Sequence, residues 1–549
     1  MRDDGGAGTG GRDGQDVRRL AREVFGHDEL RPGQQEAVTA LLDGRDVLLV
    51  SLTGAGKSFA YQAAGVLLEG STLLVSPLVA LQKDQLDHLP DDRRTRGARI
   101  SSAETPTQRR AALEALADGE LEYLALAPEQ LVRDEVWQRL LVHPPSLVAV
   151  DEAHCISAWG HEFRPDYLRL GDLVDELAGE GGRPRVVATT ATAAAPVRAD
   201  IVERLHLQRP AVVVTGFRRD NIALSVERCL DADDQRTRVV EAVLARDGAG
   251  IVYCRTRRSA ETYAEMLRES GVGAATYHAG LRAGERRDTH DAFMAGDVRV
   301  VAATSAFGMG IDKADVRFVL HAEVPESPDT YYQEFGRAGR DGLDASAVLY
   351  YRPEDLALGR FFSGGVPRRE DVAAVVGRAG RLGSDADPRD VAESTGLGRR
   401  KSGRVLNLLA DVLRAGNEPQ DLVDAVIARA EAQQDLERSR VEMMRGYAET
   451  ERCRMQFLLG YFGERDDRLC GRCDRCRAGT AAEAAMPQGS QGSGGSTYQP
   501  DERVEHPTFG VGTVVDADRD TVTVLFEEVG YRVLKQQVVE DRGLLEEVD

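Results

Sequence analysis

Short apolar runs, each closed by small, polar or acidic residues, recur through the first 350 positions of the chain. Residues 47–50, 73–75 and 147–150 are apolar at every position rather than at alternate ones. That is the pattern of strands buried on both faces of a parallel sheet. Helical stretches are expected at 59–64 and from Val79 onward, and 186–192 reads as another strand with hydroxyls at its tip. A second series, 250–256, 275–281 and 300–312, repeats the style and predicts a second α/β unit. The period then changes. Val405, Leu408, Leu409 and Val412 are spaced for one face of a helix, and a single long helix is expected from about 420 to 457. At the end, 512–515, 521–526 and 531–534 alternate between turn signals, the pattern of a small β-barrel.

Length and composition narrow the class. With 549 residues the chain is long enough for several cores. No run approaches the roughly 18 apolar residues of a membrane span. Residues 1–17 hold no apolar targeting core and read as a disordered tail. Seven cysteines, odd in number and unevenly spread, point to a reduced, cytoplasmic protein. The net charge of −21 argues against nonspecific adhesion to nucleic acid, so any such contact must come from local basic and aromatic surfaces.

The chemistry begins at residues 51–58, SLTGAGKS, between the strand at 47–50 and the following helix. Gly54 and Gly56 let the backbone curl so that N–H groups converge on phosphate oxygens. The helix N-terminus adds partial positive charge, Lys57 adds a full one, and Ser58 offers a hydroxyl to Mg²⁺. Thr53, Gly54, Ala55, Gly56, Lys57 and Ser58 are therefore a candidate P-loop for ATP. Lys57 stands out because only five lysines occur among 70 basic residues. Some twenty residues earlier, Gln34 could read an adenine edge, braced by Phe25 and Arg31. The strand at 147–150 ends in Asp151 and Glu152, placed to hold Mg²⁺ and to polarise a water, with His154 linking the site to neighbouring segments. The loop after it carries Trp159, Phe163 and Arg164, which either stack on nucleobases or pack into the core. Arg337 and Arg340, three residues apart, would share one face if that stretch were helical.

FGHDELRPGQ, SLTGAGKS, VSPLVALQKDQL, VDEAHCISAWGHEFRPDY and TTAT, in this order, resemble the first motor half of a RecQ-family DNA helicase of superfamily two. The resemblance covers residues 20 to 360 almost continuously. It implies two tandem RecA-like parallel-sheet motor domains and 3′-to-5′ movement. Within it, Arg340 looks like the arginine finger, Asp312 like the ribose contact and Gln333 like the residue that positions water or phosphate. Ser76, Thr190 and Thr304, hydroxyls at strand ends, are assigned to DNA together with the aromatic loop. Leu30 and Leu52 stand where the family usually has Phe and Pro.

Beyond the motor the chain departs from the family. Residues 390–412 have helix-turn-helix spacing, with Arg399, Arg400, Lys401 and Arg404 opening the second helix. That segment either touches DNA or packs against protein. Cys453, Cys470, Cys473 and Cys476 have the spacing of a closed tetrahedral S₄ zinc site, which also resembles the RecQ zinc module. A redox CxxC is the competitor and lacks the expected βαβ context. The usual winged helix and HRDC domain are expected to be missing, with a Gly/Ser-rich linker following the cysteines instead. The tail beyond it is similar to the Tudor-like tail of superfamily-one repair helicases, a module associated with RNA polymerase. With 13 acidic and 5 basic residues in 501–549, this tail favours a protein partner over phosphate.

The domain boundaries expected are 1–17 tail, 18–208 and 209–365 motor domains, 366–415 helix-turn-helix-like linker, 416–478 zinc-binding helical module, 479–499 flexible linker and 500–549 β-barrel. The function expected is a monomeric, nucleoid-associated DNA helicase and DNA-dependent ATPase of repair and recombination, acting on single-stranded and partially duplex DNA. An RNA helicase and a polymerase-tethered translocase without strong unwinding are the alternatives.

Overall fold

The computed structural model describes residues 10–52, 54–77, 82, 85–86, 89, 96–101, 104–131, 133–157, 167, 169–179, 182–308, 311–357, 365–382, 388–414, 421–464, 466–485, 498–499, 502–517, 521–526 and 529–548. Strands β1 (Val47–Val50), β2 (Thr72–Val75), β3 (Gly97–Ile100), β4 (Tyr123–Leu126), β5 (Leu147–Val150), β6 (Arg185–Thr190) and β7 (Ala211–Val214) form one sheet in the order β3-β4-β2-β5-β6-β1-β7. Its pairings are parallel, and β1, β2, β4 and β5 are buried along their whole length, as continuous apolar runs require. The register pairs Val50 with Thr190 and Val150 with Ala188, so the chain leaves β1, β5 and β6 at one edge. In an open parallel sheet that carboxyl edge is where ligands bind.

A second sheet follows, built from β8 (Ile222–Arg228), β9 (Ala249–Tyr253), β10 (Ala274–Tyr277), β11 (Val300–Ala303), β12 (Val316–His321) and β13 (Ala345–Tyr351) in the order β10-β11-β9-β12-β13-β8. The sequence expectation of two tandem parallel-sheet units is met.

The chain forms two compact units. The first comprises residues 1–323, 329–350 and 452–484, which hold both sheets and the four clustered cysteines. The second comprises 324–328, 351–451 and 485–549. In the second unit, helices Arg369–Leu382, Pro388–Thr395, Arg399–Arg414 and Leu422–Glu449 share a core of Val372, Val375, Val391, Val405, Leu408 and Val426. An antiparallel sheet of β14 (Arg503–His506), β15 (Gly510–Ala517), β16 (Thr521–Phe526), β17 (Gly530–Lys535) and β18 (Glu546–Glu547) completes it. This sheet is docked on the long helix. Tyr531 N–H donates to Ser439 Oγ at 2.9 Å, and Gly530 (φ +74°) lies so close that a methyl group there would meet Leu436 Cα at 2.8 Å.

Several expectations need correction. The N-terminal tail is not wholly irregular: Gly10–Glu23 is a helix whose Val17, Leu20 and Ala21 are buried with Val38 and Phe59. Residues 1–9 lie outside the described residues. The long helix stops at Glu449, and a new one, Arg454–Tyr461, starts with Cys453 at its N-cap. Between the two helices the chain leaves helical geometry, and Cys453 is buried where the second one starts. The expected 416–478 module itself is not overturned; its long helix lies in the second unit and its cysteines in the first. Within the expected 479–499 linker, Thr480–Ala485 is helical, and 486–497 lies outside the described residues. Arg404 acts on the long helix: burial pushes the Glu437 carboxyl up to about 7, and Arg440 and Arg404 pull it back. Among the described residues no helix is long and apolar enough to cross a membrane.

Replacing Gly530 with Ala forces a left-handed backbone on a side chain that also meets the long helix. We expect the second unit to lose about 1–3 kcal/mol, read as earlier hydrogen exchange in 502–548. Unchanged exchange would show that this docking is not tight.

Candidate functional site

The P-loop is shaped by its glycines. Gly54 and Gly56 adopt φ +80° and +73°, the left-handed region that favours glycine. Lys57 begins the turn into helix Ser58–Leu67, and its Nζ donates to the carbonyls of Ser51 (3.1 Å) and Leu52 (3.3 Å). Burial lowers the Lys57 proton affinity, Glu152 and Asp151 raise it, and Arg340 lowers it again. Thr53 lies outside the described residues.

Gln34 is held by both ends of its amide, one of them on the P-loop. Its Nε2 donates to the carbonyl of Gly56 at 2.8 Å and its Oε1 accepts the N–H of Arg31 at 2.9 Å. The Arg31 guanidinium donates to the Gly54 carbonyl. Both side chains therefore brace the P-loop, because a buried amide bonds to whatever backbone lies within reach. A methyl group on Gly56 would meet Gln34 Nε2 at 2.8 Å. Phe25 packs edge-on against Phe59 with ring centres 5.3 Å apart.

At the end of β5, Asp151 Oδ1 accepts Thr189 Oγ1 at 2.8 Å and Glu152 N–H at 3.0 Å. Glu152 adopts φ +50°, a conformation rare for a residue with a side chain and common at functional turns. His154 Nδ1 lies 2.9 Å from Thr190 Oγ1 and 3.4 Å from Glu152 Oε2. Thr190 in turn donates to the carbonyl of Thr192 at 3.0 Å, and Thr192 Oγ1 accepts Gln333 Nε2 at 3.4 Å. These contacts run from Glu152 in the first sheet to Gln333 beside the second.

Arg337 and Arg340 come from the other side. They do not share a helical face, because helix Pro328–Phe335 has already ended and 336–340 is a chain of turns. Arg340 reaches the P-loop, where a methyl group on Gly54 would lie 3.3 Å from its Cδ. Its Nη1 pairs with Asp312 at 2.6 Å, so Asp312 is held by the arginine, although the carboxylate remains 67% exposed. Burial and then Arg337 depress the Arg340 proton affinity. The Nε atoms of Arg337 and Arg340 are buried with no hydrogen-bond partner among the described residues. Buried donors without acceptors are uncommon, and phosphate oxygens would satisfy them.

The expected DNA contacts are mostly not on view. Trp159, Phe163 and Arg164 lie outside the described residues, as do the side chains of Arg399 and Arg400. Ser76 and Thr190 are wholly buried, and Thr190 is engaged by His154, so neither hydroxyl is open to a polymer in this conformation. Thr304 is half-buried. Sequence reasoning missed Thr192 and Thr215. Thr215 follows β7, the neighbour of β1, and its Oγ1 donates to Ser51 Oγ at 2.9 Å. Strand order, which no single motif reveals, is what places it there.

Away from this site, the sulfurs of Cys453, Cys470, Cys473 and Cys476 all lie within 4.8 Å of one another, with Cys470 and Cys476 at 3.8 Å. Zn–S bonds of about 2.3 Å in a tetrahedron put sulfurs about 3.8 Å apart. The N–H groups of Cys470, Cys473 and Cys476 point at Cys453, Cys470 and Cys473 sulfurs at 3.3–3.4 Å, the support a thiolate cluster needs. Hydrogen bonds from Cys470 and Cys473 draw the Cys453 thiol down, while burial first pushes Cys476 up to about 11. The donor set fits structural zinc and leaves no fifth position for water.

Three family models match the chain: DEAD/DEAH box helicase over 31–200, helicase conserved C-terminal domain over 235–342 and RecQ zinc-binding over 417–477. The chain is 42% identical over 335 residues to the ATP-dependent DNA helicase RecQ of Pasteurella multocida (strain Pm70), covering 61% of this chain and 52% of that protein. It is 39% identical over 337 residues to the probable ATP-dependent DNA helicase RecS of Bacillus subtilis (strain 168), covering 61% and 67%. The chain belongs to the RecQ family. It spans about half the length of the first relative and two thirds of the second. The fold is also that of Mycobacterium smegmatis helicase Lhr bound to ssDNA and AMP-PNP, at TM-score 0.51 and 22% identity over 73% of this chain and 58% of that one. Within the family the four cysteines fall inside the zinc-binding match.

Cys473→Ser should lower bound zinc from about one ion per chain toward none. Elemental analysis of the purified protein checks this, and a variant retaining full zinc would remove Cys473 from the ligand set.

Proposed function

We propose that this chain is an ATP-dependent DNA helicase that couples ATP hydrolysis to 3′-to-5′ movement on single-stranded DNA and to duplex unwinding. The observation that carries the reading is the approach of Arg340 to the Gly54 turn of the P-loop, which brings cationic groups from both sheets to one point. The 42% identity to a DNA helicase RecQ supports the substrate class.

In this mechanism Lys57 and the P-loop N–H groups bind the phosphates, while Ser58 and Asp151 would hold Mg²⁺, which would neutralise phosphate charge. Glu152 orients and polarises the attacking water. Arg340, with Arg337 behind it, faces the charge that develops on the transferred phosphoryl group. The contacts Glu152–His154–Thr190–Thr192–Gln333 tie the position of the water-activating carboxylate to the opposite domain. Asp312 serves the ribose side and holds Arg340, while Trp159, Phe163 and Arg164, with Thr304, take the DNA. The helix-turn-helix-like segment would contact DNA on its own account, through Arg399 and Arg400. The acidic β unit at 502–548 serves a protein partner, with RNA polymerase as the first candidate, and the enzyme works as a cytoplasmic, nucleoid-associated monomer in repair and recombination.

Lys57→Ala should lower ATP turnover by about 10²–10³-fold without loss of thermal stability. Wild-type turnover in that variant would sink the mechanism. Wild-type protein should unwind 3′-tailed duplex DNA in preference to 5′-tailed, with stronger ATPase stimulation by DNA than by RNA; the reverse preference in either assay would reject the corresponding assignment. Trp159→Ala should keep basal hydrolysis and lose its stimulation by single-stranded DNA. Surviving stimulation would make Trp159 a packing residue.

A further inference from the structure

Residues 215–221, which join the two sheets, bond in succession to three different parts of the first unit. Thr215 holds the start of the P-loop, its N–H donating to the Val50 carbonyl at 3.0 Å and its hydroxyl to Ser51 Oγ. Phe217 and Arg218 turn to the cysteine segment. Phe217 N–H donates to Glu464 Oε2 at 2.5 Å, its ring stacks on Phe462 at 4.6 Å, and Arg218 pairs with Asp466 at 2.8 Å. Arg219 turns the other way, into the arginine loop. Its Nη1 donates to the Gly336 carbonyl at 2.9 Å, and its Nη2 to the carbonyls of Ala338 at 2.8 Å and Gly339 at 3.3 Å. Asn221 Nδ2 adds bonds to Gly339 at 2.8 Å and Leu343 at 2.9 Å.

The loop that receives these bonds carries Arg337 and Arg340 and has no helix or strand of its own. A guanidinium holds five donors in a rigid planar fork and so fixes several carbonyls at set angles, whereas an ammonium offers three donors around one point. Arg219 is only 8% exposed, and among the described residues its guanidinium bonds to backbone carbonyls rather than to a carboxylate. Burying a full charge is costly unless well-formed hydrogen bonds offset it, and here the carbonyl acceptors supply them. What Arg219 fixes is the backbone on both sides of Arg337 and up to Arg340.

We propose that Arg219 is a positioning residue for phosphoryl transfer: it sets the arginine loop, and the cysteine segment, through Glu464 and Asp466, sets Arg219. The proposal rests on the ATPase reading above. It extends the role of the metal-bearing segment from holding itself together to holding the linker from which Arg219 projects.

The test is steady-state, DNA-stimulated ATP hydrolysis by full-length Arg219→Gln, Arg340→Ala and the double variant. Arg219→Gln should lose about 10–100-fold in kcat while KM for ATP stays within about threefold, since no P-loop group is touched. The double variant should be no slower than Arg340→Ala alone, a non-additivity that a generally destabilised fold would not produce. Wild-type kcat in Arg219→Gln, or losses that multiply in the double variant, would overturn the proposal. Should Arg219→Gln fail to fold, Glu464→Gln decides: a smaller kcat loss that vanishes in the Arg340→Ala background supports the proposal, and its persistence overturns it. Absence of hydrolysis by the wild-type protein would instead reject the ATPase reading, and the positioning role with it.

Discussion

A buried ammonium has to be balanced by its surroundings, and at Lys57 that requirement brings together the groups at the P-loop edge of the first sheet. Burial and Arg340 disfavour its charge, while Glu152 and Asp151 favour it. The balance draws on groups that sequence places far apart. Lys57 follows β1, the two carboxylates follow β5, and the guanidinium belongs to the second sheet. Parallel pairing is what makes this possible, since every strand of the sheet delivers its carboxyl end to the same edge. Around that edge most side chains serve the loop itself. Gln34 and Arg31 bond to P-loop carbonyls, Thr189 holds Asp151, and Thr190 holds His154. The site is thus preorganised by neutral and paired groups, and the cations are the parts left facing one another. Two guanidiniums with unsatisfied buried Nε donors, a lysine and a helix N-terminus make a place where oxyanions are the natural counter-charge.

The cysteine segment belongs to the same physical argument. Its helix starts at Cys453 because the sulfur must turn inward, and the same fold lays Glu464, Phe462 and Asp466 against the linker between the sheets. Arg454, wholly buried, pairs with Asp474 at 2.6 Å, and that carboxylate also accepts Val226 N–H of β8 at 3.2 Å. The metal centre is therefore joined to the second sheet by charge-assisted bonds.

Much of this was legible in the sequence, where chemistry and local spacing coincide. The apolar runs at 47–50 and 147–150, each followed at once by chemically demanding residues, gave both the strands and the residues at their tips. The four-cysteine spacing gave the sulfur cluster. What was not legible depends on long-range placement. That Gln34 also braces the P-loop is visible only once the fold sets it beside Gly56. Arg337 and Arg340 suggest a helix by spacing, but the loop is held by Arg219 and Asn221 from more than a hundred residues away. The Cys453 turn could not be read from helix propensity, because the competing demand is convergence with Cys470, Cys473 and Cys476. Strand β3, with only one fully buried position, carries too weak a pattern to stand out.

The central claim is that one phosphate site is completed by groups from both sheets. The measurement that tests it most directly is ATP affinity and single-turnover hydrolysis of Arg340→Ala, side by side with wild type. The account predicts ATP binding within about tenfold of wild type and hydrolysis slower by about 10³-fold or more. Hydrolysis at close to the wild-type rate would contradict it and confine the chemistry to the first sheet alone.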